Sequence, residues 1–402
     1  MYDAIIVGAR CAGAPLAMLL ARKGYKVLLV DKTPFRSDII STHYIQQPGV
    51  AFLKRWGLLD RVRASNCPSI SGFILDVGDF ALEGSPPGCD GVTDGICPRR
   101  KALDNILLEA AAEAGAKVRE RFCVRDVTRQ DTTNAENVTG IRAETSTGKA
   151  VTETARIIIG ADGQRSIIAR AVGAAEYLTR PATSCNYYTY FSGVPTNRAE
   201  LYNRDHCLIG AFPTNDNLTL VFTAFPNRDF RAHRENLENY FFELLKQVPA
   251  LSDRIHQGKR EERFTGTIDL PGFFRRSCGP GWALAGDAGY HKHPITAQGI
   301  TDGFRDAAAL AEAIDTALSG ARPMEQALAD YANRRDATVL PMYEMTCDLA
   351  TLEPPTPEMQ QMFAALRGNQ EEIDRFLGTM AGTTPIPEFF APENIKRIIE
   401  QG

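Results

Sequence analysis

Two histidines separated by one residue, His291 and His293, stand directly before Pro294 in the segment YHKHPITAQG. An imidazole ring gains and loses its proton near neutral pH, so either histidine could serve as a general acid or base. The same spacing could hold a metal ion, but no carboxylate or third histidine adjoins them to complete a ligand set. A third interpretation is that the rings only shape the loop through hydrogen bonds. We therefore take His291, His293 and Pro294 as candidate catalytic residues and predict no metal site.

A second set of candidates is aromatic. Tyr188 and Tyr190 alternate within the segment CNYYTYFSGV, which predicts that both rings lie on one face of a strand. Tyr187 and Phe191 share the other face. One face is expected to line a cavity and the other to pack in the core, and the sequence does not distinguish between them. Tyr188 and Tyr190 are our candidates for contact with a substrate.

The first glycines of the chain stand in the hexapeptide GARCAG, residues 8–13. The apolar run 4–7 before it predicts a buried parallel strand, and the segment 12–23 after it predicts a helix. A second strand is predicted over 26–30 and is closed by Asp31. A strand–turn–helix–strand unit with an acidic residue about twenty positions after the turn is the setting of a dinucleotide-binding fingerprint.

Each residue of this unit has an expected role. Gly8 permits a tight turn, and Gly13 lets the helix pack closely against the strand. Backbone N–H groups at the start of the helix favour a diphosphate, whereas Asp31, with the adjoining Lys32, would meet a ribose. Arg10 replaces the middle glycine of the fingerprint, so its Cβ must point away and its guanidinium can reach the phosphates. A turn that binds no ligand is the alternative.

The composition bounds the class of protein. The chain has 402 residues, enough for one large domain or two interleaved ones, and 44% hydrophobic and 23% charged residues are ordinary for a soluble globular protein. A net charge of −4 gives no sign of a nucleic-acid or anionic-membrane partner. No secretory signal or membrane span is recognised, and the nine cysteines stand singly without a C-x-x-C pair. We therefore expect a cytoplasmic protein in reducing surroundings.

Three further motifs follow predicted strands or precede a helix. They are GADG at residues 160–163, GD at 286–287, and PITAQGI at 294–300 before an alanine-rich helix. In this order, and together with the first turn, they resemble the motifs of the FAD-dependent group A monooxygenases, the p-hydroxybenzoate-hydroxylase-like flavoproteins. The resemblance covers roughly the first 320 residues. Two positions depart from it, because Arg10 and Ala297 stand where the family has glycine.

The resemblance implies that FAD binds non-covalently. Asp287 would hydrogen-bond the ribityl chain, and the backbone N–H groups of Gly299 and Ile300 would face N1 and the C2 carbonyl of the flavin. This placement is physically reasonable, because a reduced flavin carries negative charge there and a helix N-terminus stabilises an anion.

Two more cofactor contacts are implied by position. Arg100, before a helix predicted over 103–114, resembles the family's arginine that contacts FAD. Arg99 is the competing candidate, or else a solvated charge at the start of the helix. Val124, after a strand predicted over 117–123, stands where the family's backbone meets adenine.

The remaining candidates each have a structural alternative. Asp162 belongs to a motif that the family links to FAD and NAD(P)H, but it could equally cap the next helix. Thr42 and His43 fall in a region that comes close to the isoalloxazine in the family. They could instead cap a helix before Pro48.

The strand pattern and the resemblance predict an α/β fold, in which a Rossmann-like FAD-binding domain is interleaved with a β-sheet substrate domain and followed by a helical C-terminal region. The predicted boundaries are 1–66, 98–175 and 271–330 for the FAD-binding domain, 67–97 and 176–270 for the substrate domain, and 331–402 for the C-terminal region.

The activity that the resemblance implies is an NAD(P)H-dependent FAD monooxygenase reaction. Reduced flavin would add O2 as a C4a-hydroperoxide and hydroxylate a small aromatic or heteroaromatic substrate. One alternative is a related flavoprotein reductase, a geranylgeranyl-reductase-like saturase. Another is a flavin-dependent halogenase, although the sequence has no W-x-W-x-I-P segment. A third class is a flavin-binding protein without turnover. The substrate, the choice of NADH or NADPH, and the oligomeric state are not predicted.

Overall fold

The computed structural model of the chain describes residues 1–34, 41, 43–131 and 136–401. Within these residues the strands are β1 (Tyr2–Val7), β2 (Val27–Val30), β3 (Ser69–Ile70), β4 (Phe73–Asp76), β5 (Ala81–Gly84), β6 (Gly95–Ile96), β7 (Lys117–Arg119), β8 (Cys123–Asp131), β9 (Glu136–Glu144), β10 (Ala150–Gly160), β11 (Glu176–Arg180), β12 (Ser184–Ser192), β13 (Ala199–Arg204), β14 (Cys207–Thr214), β15 (Leu218–Pro226), β16 (Lys259–Arg260), β17 (Thr265–Thr267), β18 (Gly272–Arg275), β19 (Cys278–Gly279), β20 (Trp282–Leu284) and β21 (Tyr290–His291). The α-helices are α1 (Gly13–Arg22), α2 (Gln47–Trp56), α3 (Leu59–Ala64), α4 (Arg100–Glu113), α5 (Ile167–Ala171), α6 (Asn227–Ala232), α7 (Leu237–Leu245), α8 (Pro249–Gln257), α9 (Gly299–Leu318), α10 (Met324–Leu349), α11 (Pro357–Leu366), α12 (Gln370–Ala381), α13 (Ile386–Phe389) and α14 (Pro392–Gln401).

The first sheet has the strand order β19-β20-β10-β1-β2-β7, and β10 also pairs with the hairpin β8–β9. The strands from β20 to β7 run parallel. The apolar run of β1 is buried on both faces, because Ile6 packs in a cluster with α1, α4 and α9, whereas Ile5 packs with β8, β9 and β10. The turn after β1 and the end of β2 therefore meet at the carboxyl edge of the sheet, where doubly wound folds bind ligands.

The second sheet has the order β16-β12-β15-β14-β13-β4-β5, with β17 also paired to β12. Both faces are covered by helices, which explains why the pattern of β12 did not reveal the cavity side. Tyr188 and Tyr190 belong to a cluster with α11, α12, α13 and α14. Tyr187 and Phe191 pack on the opposite face with α7 and α8.

The predicted fold class is confirmed, because a parallel Rossmann-like sheet, a separate β-sheet and a helical C-terminal region are all present. The domain boundaries stay a prediction. No helix within the described ranges combines the length and the apolar character needed to cross a bilayer. All nine cysteines lie in these ranges and remain as thiols.

Two predicted element boundaries are wrong. The strand predicted over 117–123 is interrupted, since Arg121 has a φ of 51°, and Val124 lies inside β8 rather than after a strand. The helix predicted from Leu103 begins one turn earlier, at Arg100. Its first turn is polar, so the apolar periodicity alone did not reveal it.

Candidate active site

The carboxyl edge of the first sheet and the Tyr188 face of the second sheet border a cavity of about 620 Å³. The predicted cofactor-binding residues in its lining are Gly8, Arg10, Asp31, Lys32, Arg100, Val124, Asp162, Asp287, Gly299 and Ile300. The predicted catalytic residues in its lining are Tyr188, His291 and Pro294. The predicted residues that do not line the cavity are Gly13, His43, Tyr190 and His293. Thr42 falls outside the described residues.

The turn after β1 is built around two close backbone approaches. Gly8 has a φ of 101°, and a Cβ there would overlap the carbonyl oxygen of Ala161. A Cβ on Gly13 would overlap the carbonyl oxygen of Gly8. Any larger residue would therefore displace backbone at either position, and α1 starts directly at the cavity wall.

Asp31 has structural partners on both carboxylate oxygens. Oδ2 accepts a hydrogen bond from the backbone N–H of Ala9 at 3.0 Å. Oδ1 accepts from the backbone N–H and the hydroxyl of Thr33 at 2.9 and 2.7 Å. The carboxylate thus ties the end of β2 to the first turn, and its contact with a ribose stays a prediction.

Two arginines of the cavity wall share one carboxylate. Arg100, the first residue of α4, donates from Nε and Nη2 to Asp104 at 3.0 and 2.9 Å. Arg10 donates from Nη1 to the same carboxylate at 3.1 Å. Taken together, the side chains of Arg10, Arg100 and Asp104 carry one net positive charge. Sequence reasoning missed Asp104, although the i, i+4 spacing from Arg100 is a recognisable signal.

Arg99 points away from this cluster. Its side chain is 2% exposed, it stacks 3.9 Å from the ring centre of Tyr190, and it forms an ion pair with Glu262 at 2.8 Å. The prediction of a solvated charge is therefore wrong. Nε2 of His43 is hydrogen-bonded to the Tyr190 hydroxyl, and the rings of both residues pack edge-on against Tyr188. Neither His43 nor Tyr190 is among the residues that line the cavity.

Asp162 supports the start of α5, although the N-cap residue of that helix is Ser166. Oδ2 accepts from the backbone N–H of Ile167 at 2.7 Å, and Oδ1 accepts from the hydroxyl of Ser166 at 2.6 Å. The residue also lies in the cavity lining, so support of α5 and a contact with a cofactor are compatible.

A second helix, α9, begins at the cavity. Its first residue, Gly299, is exposed, and a Cβ there would meet no atom within 4 Å. The helix is tied to the GD turn, because Asp306 accepts a hydrogen bond from the backbone N–H of Gly286 at 2.8 Å. Ala297, where the family has glycine, adopts a left-handed φ of 53° just before the helix. The turn therefore keeps its glycine-like conformation despite the alanine, at some cost in strain.

A buried ionic group adjoins this helix start. The Lys292 ammonium is paired with the carboxylate of Asp302 and hydrogen-bonded to the Tyr290 hydroxyl. Asp302 also accepts from the Tyr290 hydroxyl and from Arg305, each at 2.6 Å. Burial lowers the pKa of Lys292, whereas the pKa of Asp302 is lowered by its two cationic neighbours against the effect of burial. Sequence reasoning missed this group, because Asp302 stands ten residues from Lys292 and twelve from Tyr290 in the chain.

The two histidines of the loop have separate environments. The Nδ1–H of His291 donates to the carbonyl of Pro271 at 2.5 Å, which leaves a lone pair on Nε2 when the ring is neutral. The ring lies in the cavity lining. His293 does not line the cavity: Nδ1 accepts from the backbone N–H of Ile295 at 3.2 Å, and Nε2 lies 3.2 Å from the hydroxyl of Ser184. No cluster of three or more potential metal ligands occurs in the described part of the chain.

The residues of the second sheet form the apolar end of the cavity. Tyr188 and Asn186 come from β12, Leu220 and Phe222 come from β15, and Leu270 follows β17. Tyr188 stands directly opposite Phe222 in the pairing of the two strands. The cavity thus joins a polar, net-positive end at the first sheet to an aromatic end at the second.

A family model described as an FAD binding domain matches residues 1–345. The chain belongs to this FAD-binding family. It is 24% identical over 342 residues to 6-methylpretetramide 4-monooxygenase of Streptomyces rimosus, with 76% of this chain and 73% of that protein covered. It is 25% identical over 340 residues to digeranylgeranylglycerophospholipid reductase of Methanothrix thermoacetophila, with 83% and 82% covered. The predicted membership of the group A flavoprotein monooxygenases is confirmed.

A solved structure supports the fold. The flavin-dependent brominase Bmp2 matches with a TM-score of 0.80 at 17% identity, covering 100% of this chain and 98% of that chain. The relatives therefore share an FAD-binding fold but differ in the reactions that their names describe, so the reaction must be argued from the cavity.

The residues of the cavity fit FAD. The start of α1 and the net-positive pair of Arg10 and Arg100 suit a diphosphate. Gly299 leaves open space at the start of α9, where a planar ring can approach backbone N–H groups. Asp287 is exposed in the lining beside it. These residues would hold the two ends of the cofactor.

The environment of His293 predicts a pH effect on stability. Burial, with a smaller contribution from His291, lowers its pKa to about 3. The unfolded chain therefore binds a proton below the ordinary value of about 6.5, while the folded chain does not, and stability falls as the pH drops from 6.5 towards 3. His293→Gln can keep both hydrogen bonds without titrating. Between neutral pH and pH 3, the free energy of unfolding of the variant should fall by on the order of 4 kcal/mol less than that of the wild type.

Urea unfolding at a series of pH values measures this difference. His206→Gln is the control, because that side chain is about one third exposed and lies on the surface; it should follow the wild-type profile. Equal acid sensitivity of the wild type and His293→Gln would show that His293 binds its proton equally well in the folded and the unfolded chain, which would contradict the lowered pKa.

Proposed function

We propose that the chain is an NAD(P)H-dependent FAD monooxygenase that hydroxylates a small aromatic substrate. The observation that supports this proposal is the cavity, which joins a net-positive glycine turn to the aromatic face of the second sheet. A cofactor held at the first end would place its reactive ring near the second.

When bound and reduced by NAD(P)H, FAD supplies the activation of O2. The protein's part is to bind, orient and exclude water. The start of α1 with Arg10 and Arg100 would hold the diphosphate, and Asp287 with the first turn of α9 would hold the flavin end. Tyr188 and its apolar neighbours on β15 would position the substrate ring and keep water from it.

His291 is the group best placed to handle a proton. Its Nδ1–H is engaged by the Pro271 carbonyl, so the neutral ring presents the lone pair of Nε2. A phenolic substrate in the cavity could pass its hydroxyl proton to this atom, which would make the ring more electron-rich. His293 is excluded from this role in our proposal, because its lowered pKa keeps it neutral.

Purified protein tests the proposal directly. It should be yellow, release FAD on heat denaturation, and oxidise NADH or NADPH faster when a suitable phenol, indole or heteroaromatic compound is present. Oxygen should be consumed with the substrate, and the product should gain one oxygen atom. A protein that neither carries nor takes up FAD would refute the proposal.

The same assay separates the alternatives. The reductase relative makes saturation of a double bond the runner-up, and that reaction would proceed without oxygen. A halogenase would require halide for product formation. A protein that binds FAD but shows no substrate-dependent oxidation of NAD(P)H would be a binding protein.

Arg10 is expected to contribute to FAD affinity through its charge. Arg10→Gly restores the usual glycine of the fingerprint, yet it leaves Asp104 balanced by Arg100 alone and so removes the net positive charge. We expect FAD to bind about tenfold more weakly, since a hydrogen bond to a charged group is typically worth about 1.5–3 kcal/mol and Arg10 is partly screened by solvent. Titration of the apoprotein with FAD at several salt concentrations measures the change.

Arg10→Lys is the matched control, because it keeps the charge and should keep most of the affinity. The wild-type affinity should fall more steeply with ionic strength than that of Arg10→Gly. Equal dissociation constants with parallel salt slopes would remove Arg10 from the cofactor site.

A further inference from the structure

The side-chain amide of Asn186 is buried without hydrogen-bond partners. It lies on β12 and lines the cavity, and it is 6% exposed. In the described structure, neither its side-chain Oδ1 nor its Nδ2 has a hydrogen-bond partner. A buried amide without partners costs stability, so an unsatisfied pair in a cavity wall indicates a ligand that completes it.

The residues opposite Asn186 on the neighbouring strands do not form hydrogen bonds with its side-chain amide. Ala224 stands opposite it on β15 and is apolar. Thr267 stands opposite it on β17, and its hydroxyl already accepts from the backbone N–H of Asp269 at 3.2 Å. The amide thus keeps one acceptor and one donor group without a protein partner in the wall of the cavity.

The surface beside Asn186 is shaped for a flat ring. Tyr188 is the next residue on the same face, and Phe222 stands opposite it. The ring of Phe222 lies over Gly210, where a Cβ would overlap it. Because Gly210 has no side chain, the Phe222 ring can pack directly against the sheet. The aromatic surface next to Asn186 is therefore flat.

We propose that Asn186 selects an aromatic substrate that bears a neutral amide, either a carboxamide or a ring lactam. Such a group presents a donor and an acceptor on neighbouring atoms, which matches the side-chain amide in a paired arrangement. This inference rests on the proposed function, because it names the substrate class of the same cavity.

A carboxylate is a poorer match. It would present two acceptors, and one of them would face the Asn186 carbonyl oxygen. The buried ammonium of Lys292, which also lines the cavity, is already neutralised by Asp302. The amide-bearing member of a matched pair of ligands should therefore bind more tightly than the acid.

Asn186→Leu tests the inference, because it keeps the size of the side chain and removes both polar atoms. The probes are matched pairs in which one ring carries a carboxamide or a carboxylate, such as 2-hydroxybenzamide and 2-hydroxybenzoate, with indole and quinoline pairs beside them. The wild type should bind the amides about tenfold or more tightly than the acids. Asn186→Leu should weaken amide binding about ten- to a hundredfold and change acid binding little.

Thr223→Val is the matched control. Thr223 is also fully buried with an unpartnered hydroxyl, but it lies on the other face of β15 from Phe222. This variant should leave the binding of both ligand classes unchanged. Both variants should unfold at a higher temperature than the ligand-free wild type, because each removes an unsatisfied buried group.

Binding is measured by calorimetry on the FAD-loaded protein, with FAD affinity determined in parallel. Equal affinity for amides and acids, or failure of every amide to bind at its solubility limit, would overturn the inference and leave the proposed function intact. Weaker FAD binding by Asn186→Leu with unchanged amide binding would also overturn it, since the flavin would then be the partner of Asn186. If the chain takes up no FAD, yet binds amides more tightly than acids and loses this preference in Asn186→Leu, the proposed function is refuted and this inference is supported.

Discussion

Replacing Lys292 by methionine should lower the free energy of unfolding by about 3 kcal/mol, because it breaks a buried ion pair. The Lys292 and Asp302 side chains are 3% and 6% exposed. Loss of the ammonium leaves a buried carboxylate, but Asp302 keeps its contacts with Arg305 and Tyr290. The expected cost therefore lies at the lower end of the range of about 3–5 kcal/mol that broken buried pairs show. Urea unfolding at saturating FAD measures it.

The double variant Lys292→Met with Asp302→Asn distinguishes this explanation from a loss of packing. Removing both charges together should recover part of the lost stability, because neither Lys292 nor Asp302 then leaves a buried charge without its partner. The recovery stays incomplete, since Arg305, which is 29% exposed, loses its ion pair with Asp302 in the same variant. Asp302→Asn alone should cost less at alkaline pH than at neutral pH, because Lys292 can then lose its proton. A double variant whose loss of stability equals the sum of the two single losses would show that the pair contributes no coupling.

The unit from β1 to β2 was predictable because local sequence dictates it. The apolar runs 4–7 and 27–30 predict its two strands, and Gly24, with a φ of 88°, ends the helix between them. The close approach of Gly13 to Gly8 follows from the same fingerprint. Motifs of this kind carry their own geometry, so their place beside the cavity could be expected before the structure was known.

Contacts between distant segments were not predictable in this way. The alternation along β12 separated Tyr188 from Tyr187, but helices cover both faces, so burial gave no preference. The burial of Arg99 depends on its contacts with Tyr190 and Glu262, which are distant from it in the sequence. Asn186 shares the face of Tyr188 two positions earlier, and its importance lies in a lack of partners that the sequence cannot show.

Gly13→Ala should have the largest effect on cofactor binding, because it disrupts the backbone of the first turn. The new Cβ would overlap the carbonyl oxygen of Gly8 and press on the Ile6 side chain. Backbone cannot rotate away as a flexible side chain can, so we expect a loss of about 3 kcal/mol or more and little FAD-loaded protein. Thermal unfolding and FAD content of the purified variant measure both effects.

Gly299→Ala is the matched comparison, since Gly299 also begins a helix and lines the cavity. A Cβ there meets no atom within 4 Å, and alanine is a good helix former, so the apoprotein should stay within about 1 kcal/mol of the wild type. FAD affinity should nevertheless fall by about tenfold, because the methyl group enters the space beside the first turn of α9, at a cost of about 1.4 kcal/mol. Unchanged FAD affinity would place the flavin away from α9, whereas a Gly13→Ala variant that folds and binds FAD normally would refute the close approach of α1 to β1.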